Sequence, residues 1–257
     1  MKNLLKVLSF ILLTTILSCF KLENKPSEKE TLLVAVYENT YLNKINETFK
    51  IYKDSTYLFT QNTIEPDHSK LEKFEGKVQI KNDTIQFTPF GFSFNNAKTA
   101  VLKNGFVEFI DSDDYPYRMK IEKTSLFVKN NIDFNQFKNY AVFTFYKKYN
   151  RINEENNNSN YDLNNNDLKK IEAILSSQIK KNKNLNNYSS YLKQIVAEKN
   201  EKNEVIVFVH FFCKDQHTLS NYQYYEISMM DGGKCNIRIS LNLSTGKINF
   251  INFAGLA

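Results

Sequence analysis

The 257-residue chain has no tryptophan, seven glycines, four prolines, three histidines and three cysteines. It contains no phosphate-cradling glycine loop, no Gly-x-Ser-x-Gly elbow and no His-Glu-x-x-His helix, so the motif-bearing nucleotide-binding, hydrolase and zinc-protease classes are excluded. Its net charge is only +6, and the lysines are scattered rather than gathered into a stripe with interleaved aromatics. Nucleic acid is therefore not an expected partner. Beyond the N-terminus no apolar run approaches the roughly 20 residues that a spanning helix needs. The chain is instead rich in Asn, Lys, Tyr and Phe.

The N-terminus has its own logic. Lys2 and Lys6 precede an apolar run from Val7 to Leu17, the length of a signal-peptide core and short for a membrane span. Ile16-Leu17-Ser18-Cys19 offers no small–x–small cleavage site but resembles the bacterial lipobox. That resemblance implies cleavage between Ser18 and Cys19, with Cys19 carrying a diacylglycerol thioether as the mature N-terminus. A thiolate suits alkyl transfer. Two or three acyl chains, at about 0.8 kcal/mol per buried methylene, hold a folded domain on a bilayer. Loss of Lys2 and Lys6 would lower the net charge to +4. The expected location is the bacterial cell envelope, with the folded part outside the cytoplasm. Because acidic residues do not cluster after Cys19, a periplasm-facing position is favoured over the cell surface.

Residues 19–30 read as a tether. From 31 to 128 the signals are those of strands separated by turns: Phe49 and Ile51, a turn at Lys53-Asp54-Ser55, Tyr57 and Phe59, then Val78 and Ile80, Asn82-Asp83, Ile85 and Phe87. Shorter strands are predicted at 99–102, 106–110 and 117–121. Such spacing predicts an antiparallel meander closing into a barrel or sandwich, similar in pattern to the lipocalin-like domains of bacterial lipoproteins. Residues 129–166 hold an element at 139–149 that periodicity leaves as strand or helix, followed by an Asn-rich linker. From 167 to 257 the pattern predicts α+β. Asp167 caps a helix carrying Leu168, Ile171, Leu175 and Ile179, and a second helix spans about 187–199. Four strands follow, "EVIVFVHFFC", "YQYYEISMM", "KCNIRISLNL" and "KINFINFAG". The expected domain is two helices on a four-stranded antiparallel sheet, in an order similar to cystatin-like domains.

Few residues invite chemistry. In the strand 235–243, Cys235, Ile237, Ile239, Leu241 and Leu243 face the helices while Asn236, Arg238, Ser240 and Asn242 face outward. Arg238 on that open face would pair with an anionic ligand or with a glutamate across the strand, and His210 is the other candidate there. His210, Cys213, His217 and Cys235 are the only group suggesting a metal, but the spacing is not that of a zinc site. His210 and Cys213 also fall on opposite strand faces. No metal or cofactor is expected. Asp231-Gly232-Gly233 reads as a turn, and Asp113-Asp114 as a loop too poor in oxygen ligands for calcium. A Cys213–Cys235 disulfide is disfavoured: an intervening strand "YQYYEISMM" would put the two cysteines at opposite ends of the sheet, beyond the roughly 7 Å that a bridge tolerates.

The segments "DLKKIEAIL", "YLKQIVAEKNEKNEVIVFVHFFC" and "MMDGGKCNIRISLNLSTGKINFINFAGLA" resemble the C-terminal region of uncharacterised exported lipoproteins of Bacteroidetes-type bacteria. The pattern is matched by Cys213, Asp231, Gly232, Gly233, Cys235, Gly255 and Ala257. Asn236 stands where that pattern carries an aromatic residue. The resemblance implies no activity. The expected function is a membrane-anchored, non-enzymatic binding or envelope-assembly module whose partners are the membrane, through its lipid, and an envelope protein. The alternatives are an envelope enzyme at the seam between domains, using His210 or Asp231, and an inhibitor or immunity-type lipoprotein.

Overall fold

Eight consecutive strands, each antiparallel to the next, form a closed barrel in which the first also pairs with the last. They are β1 (Thr31–Asn39), β2 (Lys44–Tyr52), β3 (Thr56–Ile64), β4 (Ser69–Lys81), β5 (Thr84–Thr88), β6 (Thr99–Lys103), β7 (Phe106–Ile110) and β8 (Tyr117–Thr124). The structure is a computed structural model and describes residues 29–39, 44–88, 91–112, 117–146 and 157–255. The expectations at Ser18, Cys19 and Asp113-Asp114 lie outside the described residues.

Period-two alternation sends Leu33, Ala35, Phe49, Ile51, Phe59, Ile85, Leu102 and Phe109 inward, all fully buried. The β5–β6 connection then folds Phe92 into the interior, where it stacks on Phe109 at 4.5 Å and meets Phe49 and Phe59 edge-on. A small barrel is just wide enough for its own side chains to fill it, and this one is filled by aromatic rings. Toward one end, Glu47 replaces an apolar residue on the inward face. Gln61 and Tyr117 donate to its carboxylate, yet burial still raises its pKa above the ordinary range.

The second layer is a six-stranded mixed sheet. Its strands are β9 (Tyr140–Thr144), β10 (Ser159–Asn160), β11 (Tyr191–Lys199), β12 (Val205–Cys213), β13 (Asn236–Asn242) and β14 (Lys247–Phe253). The ambiguous element at 139–149 thus contains a strand, and β9 runs parallel to β11. Helix α1 (Asn165–Lys181) covers one face, where Leu168, Ile171, Leu175 and Ile179 meet Ile195, Val209, Ile237, Ile239 and Leu241. Its cap is Asn164, not Asp167. Asn164 accepts from the backbone N–H groups of Asn166 and Asp167, and its own backbone N–H donates to the Asp167 carboxylate, closing a capping box. In the stretch expected as linker, Leu163 is buried in the core and Asn160 accepts from Phe145 N.

Three further expectations are corrected. Residues 191–199 form β11, not a helix. Tyr188, Tyr191, Leu192 and Ile195 imitate helical spacing because nearly every residue of β11 is buried, and a strand covered on both faces loses its period-two signal. The segment "YQYYEISMM" is not a strand. After β12 the chain makes a short helix, α2 (Gln216–Asn221), and then crosses the second face of the sheet as irregular chain. Tyr222 and Ile227 pack there on Phe143, Leu192 and Phe212. Buried Gln194 replaces a strand ladder for it, donating to the carbonyls of Tyr222 and Tyr225 and accepting from Ile227 N. Two helices on a four-stranded antiparallel sheet are therefore replaced by one long helix on a six-stranded mixed sheet.

The third correction follows from the second. With no strand between them, β12 and β13 are neighbours, paired from Ile206↔Asn242 to Phe212↔Asn236. The next pair in that register is Cys213 opposite Cys235, and they form a disulfide with Cα atoms 4.8 Å apart.

Candidate functional site

Thr31–Ala257 is one compact unit, and at the seam between barrel and sheet side chains of the two layers engage one another. Arg118, on the outer face of β8, lies between the rings of Phe106 and Phe143, 4.2 and 4.0 Å from their centroids. Its Nη1 donates to Glu108 Oε1 at 3.3 Å and to Val142 O at 2.7 Å, and its Nε donates to Gln223 O. Glu108 accepts a further bond from Thr144 Oγ1. Nearby, Asp162 accepts from Lys103 and Lys129 at 2.5 and 2.6 Å. Burial opposes ionisation of Asp162, but these two lysines hold its pKa well below the carboxylate range. Neither His210 nor Asp231 belongs to this network.

The open feature is elsewhere, on the part of the second sheet face that the 222–229 crossing leaves uncovered. Register places Gln194, His210, Arg238 and Asn252 in one row across four strands, and Val196, Phe208, Ser240 and Phe250 in the next. A cleft of about 310 Å³ lies against this face, lined by Arg238, Asn236, Asn252 and Ala254 on the sheet side and by Ser228, Met229 and Met230 on the other. Exposed apolar residues flank it: Met230 is 95 % exposed, Phe250 48 % and Phe208 36 %.

Asn236 sets the cleft wall. Its Nδ2 donates to the carbonyls of Met229 and Asp231 at 2.9 and 2.6 Å, which ties the incoming chain to β13. Gly232 makes the return with φ +106°, and a Cβ there would stand 3.0 Å from Met229 Sδ. The positive φ favours glycine there, since a residue with a Cβ rarely adopts it. With the amide group of Asn236 used as a donor, its Oδ1 is an acceptor. The 2.6 Å contact to His210 therefore assigns the proton to His210 Nε2. Burial, which outweighs the Asn236 bond, and the charge of Arg238 lower the pKa of His210 to about 4. It is neutral at pH 7. Among the described residues the one charged side chain lining the cleft is Arg238, whose Nη2 donates to Met229 O at 3.1 Å.

The structure thus brings His210, Asn236, Arg238 and the Asp231 backbone together. It assigns Cys213 and Cys235 to the disulfide and leaves the Asp231 side chain exposed. The cross-strand neighbours of Arg238 are His210 and Asn252, so the glutamate that could have neutralised it is not there. Among the described residues no His, Cys, Asp and Glu side chains gather in a group that could hold a metal ion. Sequence reasoning missed Asn252, Met229 and Met230 because it placed the methionines on a strand that does not exist. It also missed Lys193, which is buried on β11 with its ammonium 4.1 Å from the Tyr188 ring centroid and its pKa lowered by burial to about 8.

The depressed His210 pKa gives a pH-dependent stability. The folded protein resists a proton that the unfolded chain accepts near 6.5. This contribution is fully present above about pH 6.5 and is lost as pH falls toward 4. At 1.36 kcal/mol per pKa unit, it amounts to roughly 2 kcal/mol between pH 7 and 4.5. Urea unfolding of His210→Gln, which keeps a donor near Asn236 but does not titrate, should show that much less loss across this range. An unchanged pH slope would refute the assignment.

No family model, no curated protein and no solved structure matches this chain.

Proposed function

We propose that this protein is a non-enzymatic binding module of the bacterial envelope, tethered by lipid at Cys19 and engaging its partner through the open face of the second sheet. The observation that carries the reading is the cleft beside Arg238, a cation without a carboxylate neighbour in its strand register, flanked by exposed Met230, Phe208 and Phe250. Exposed apolar residues rimmed by polar groups are what recognition surfaces present. The barrel interior is filled by its own rings, which directs attention to the sheet rather than to a barrel chamber. Among the described residues no helix is long and apolar enough to cross a membrane, and the lipid would supply the membrane affinity. The seam-enzyme alternative has less support, since Arg118, Glu108, Lys103 and Asp162 are engaged with one another there.

Two measurements on the full-length protein in its host envelope test this. Cys19→Ala should move it from the membrane fraction to the soluble fraction. A photo-crosslinker at Met230 should capture one partner that the same probe at Leu71, an exposed barrel position, does not. Retention of Cys19→Ala in the membrane would refute the tether, and identical crosslinks at both positions would refute the face.

A further inference from the structure

We propose that the cleft on the second sheet is a carboxylate-recognition site, in which Arg238 takes the carboxylate and the Met229–Met230 wall takes the apolar group attached to it. The inference deepens the reading of the open face as a binding surface and rests on it.

Four observations lead there. Among the described residues, Arg238 is the only ionisable one lining the cleft, so they offer one positive charge there, which suits a monoanion better than a phosphate dianion. A guanidinium is a planar fork matched to a planar carboxylate. The Met229 carbonyl holds one of its nitrogens, and among the described residues no side chain accepts from the others. The Asn252 amide, the cross-strand neighbour of Arg238, adds a donor on the same row.

The walls are pre-set. Asn236 fixes the Met229–Asp231 backbone, and the Cys213–Cys235 bridge closes the β12–β13 end beside it. Ordering the loop therefore adds little to the cost of binding. A volume of about 310 Å³ is at the small end for ligand sites and fits a carboxylate with one side-chain-sized group. Thioether side chains adapt to varied apolar shapes. Two sources share this chemistry: a small carboxylic acid with an apolar group, and the free C-terminus of a polypeptide.

The probes are N-acetyl-L-phenylalanine, an acetylated hexapeptide ending in phenylalanine, and the C-terminal amide of each. They are titrated into the folded protein at pH 7 while the backbone NMR signals of Met230, Arg238 and Asn252 are followed. Saturable shifts are expected with at least one acid, and each amide should bind about tenfold more weakly or worse, as loss of a charge-assisted pair requires. Arg238→Gln, with an unchanged melting temperature, should weaken the acid by a similar factor. Tighter binding of the hexapeptide than of the small acid assigns the source to a polypeptide terminus; equal binding assigns it to the small acid. Equal affinity of acid and amide, indifference to Arg238→Gln, or no saturation by either acid at millimolar concentration overturns the proposal. If it falls while the Met230 crosslink persists, the open face remains a docking surface and only its carboxylate chemistry is refuted.

Discussion

Arg118→Ala is expected to lower the unfolding free energy by about 3–5 kcal/mol, the usual cost of removing one member of a buried ion pair. Arg118 is 2 % exposed and Glu108 4 %. Truncation leaves the Glu108 carboxylate buried without its guanidinium, removes a donor from the carbonyls of Val142 and Gln223, and opens a gap between Phe106 and Phe143. Arg118→Lys should recover less than half of the loss. An ammonium keeps the charge, but it cannot reach three acceptors on two structural layers or stack between two rings. Because the contacts of Arg118 join the barrel to both β9 and the 222–229 crossing, the variant should also show the sheet and barrel unfolding in separate steps. Denaturant titration followed by probes in each layer measures both effects. A loss below about 1 kcal/mol, or full rescue by lysine, would show that the seam is held by something other than this guanidinium.

The second large effect concerns the disulfide. Cys213 and Cys235 enclose a segment of sequence separation 22, and in the chain-entropy account a loop of that length contributes about 3 kcal/mol. The Cys213→Ala/Cys235→Ala variant should lose that much. The loss should come with faster amide exchange across 214–234, the segment that includes α2, covers Phe212 and Leu192, and forms one wall of the cleft. Its cap on the barrel, where Tyr37 donates to Asn221, should loosen as well. Non-reducing mass spectrometry that finds free thiols, or a double variant as stable as the parent, would contradict the bridge.

The legibility of these features differs by element. The barrel strands were readable because each has one face in a dry interior and one toward solvent or the seam, so apolar residues recur every second position. Helix α1 was readable for the analogous reason at a period of 3.6. Only its cap was misplaced, since Asp167 serves the third helical position rather than the cap itself. β11 was not readable, because α1 covers one face and the 222–229 crossing the other. The crossing was misread in the opposite sense. Its aromatic residues have strand-like composition, but its backbone finds partners in Gln194 and Arg118, residues far away in sequence. The disfavoured disulfide inherited that error. Once the false strand is removed, the geometric objection reverses and the register itself places Cys213 opposite Cys235.

For the site, alternation along 235–243 was enough to put Arg238 on the open face and Ile237, Ile239 and Leu241 under α1. It could not tell that Asn236 is buried as a wall-setting amide, nor that His210 is held neutral beside Arg238. By itself the sequence determined the alternating strands, the amphipathic helix and the sidedness of β13, because those depend on neighbours within a few residues. Only the tertiary structure decided the sheet order, the disulfide, the buried Arg118 clasp and the cleft. Each of these depends on which distant backbone or charge comes to lie opposite a residue, and local periodicity carries no record of that.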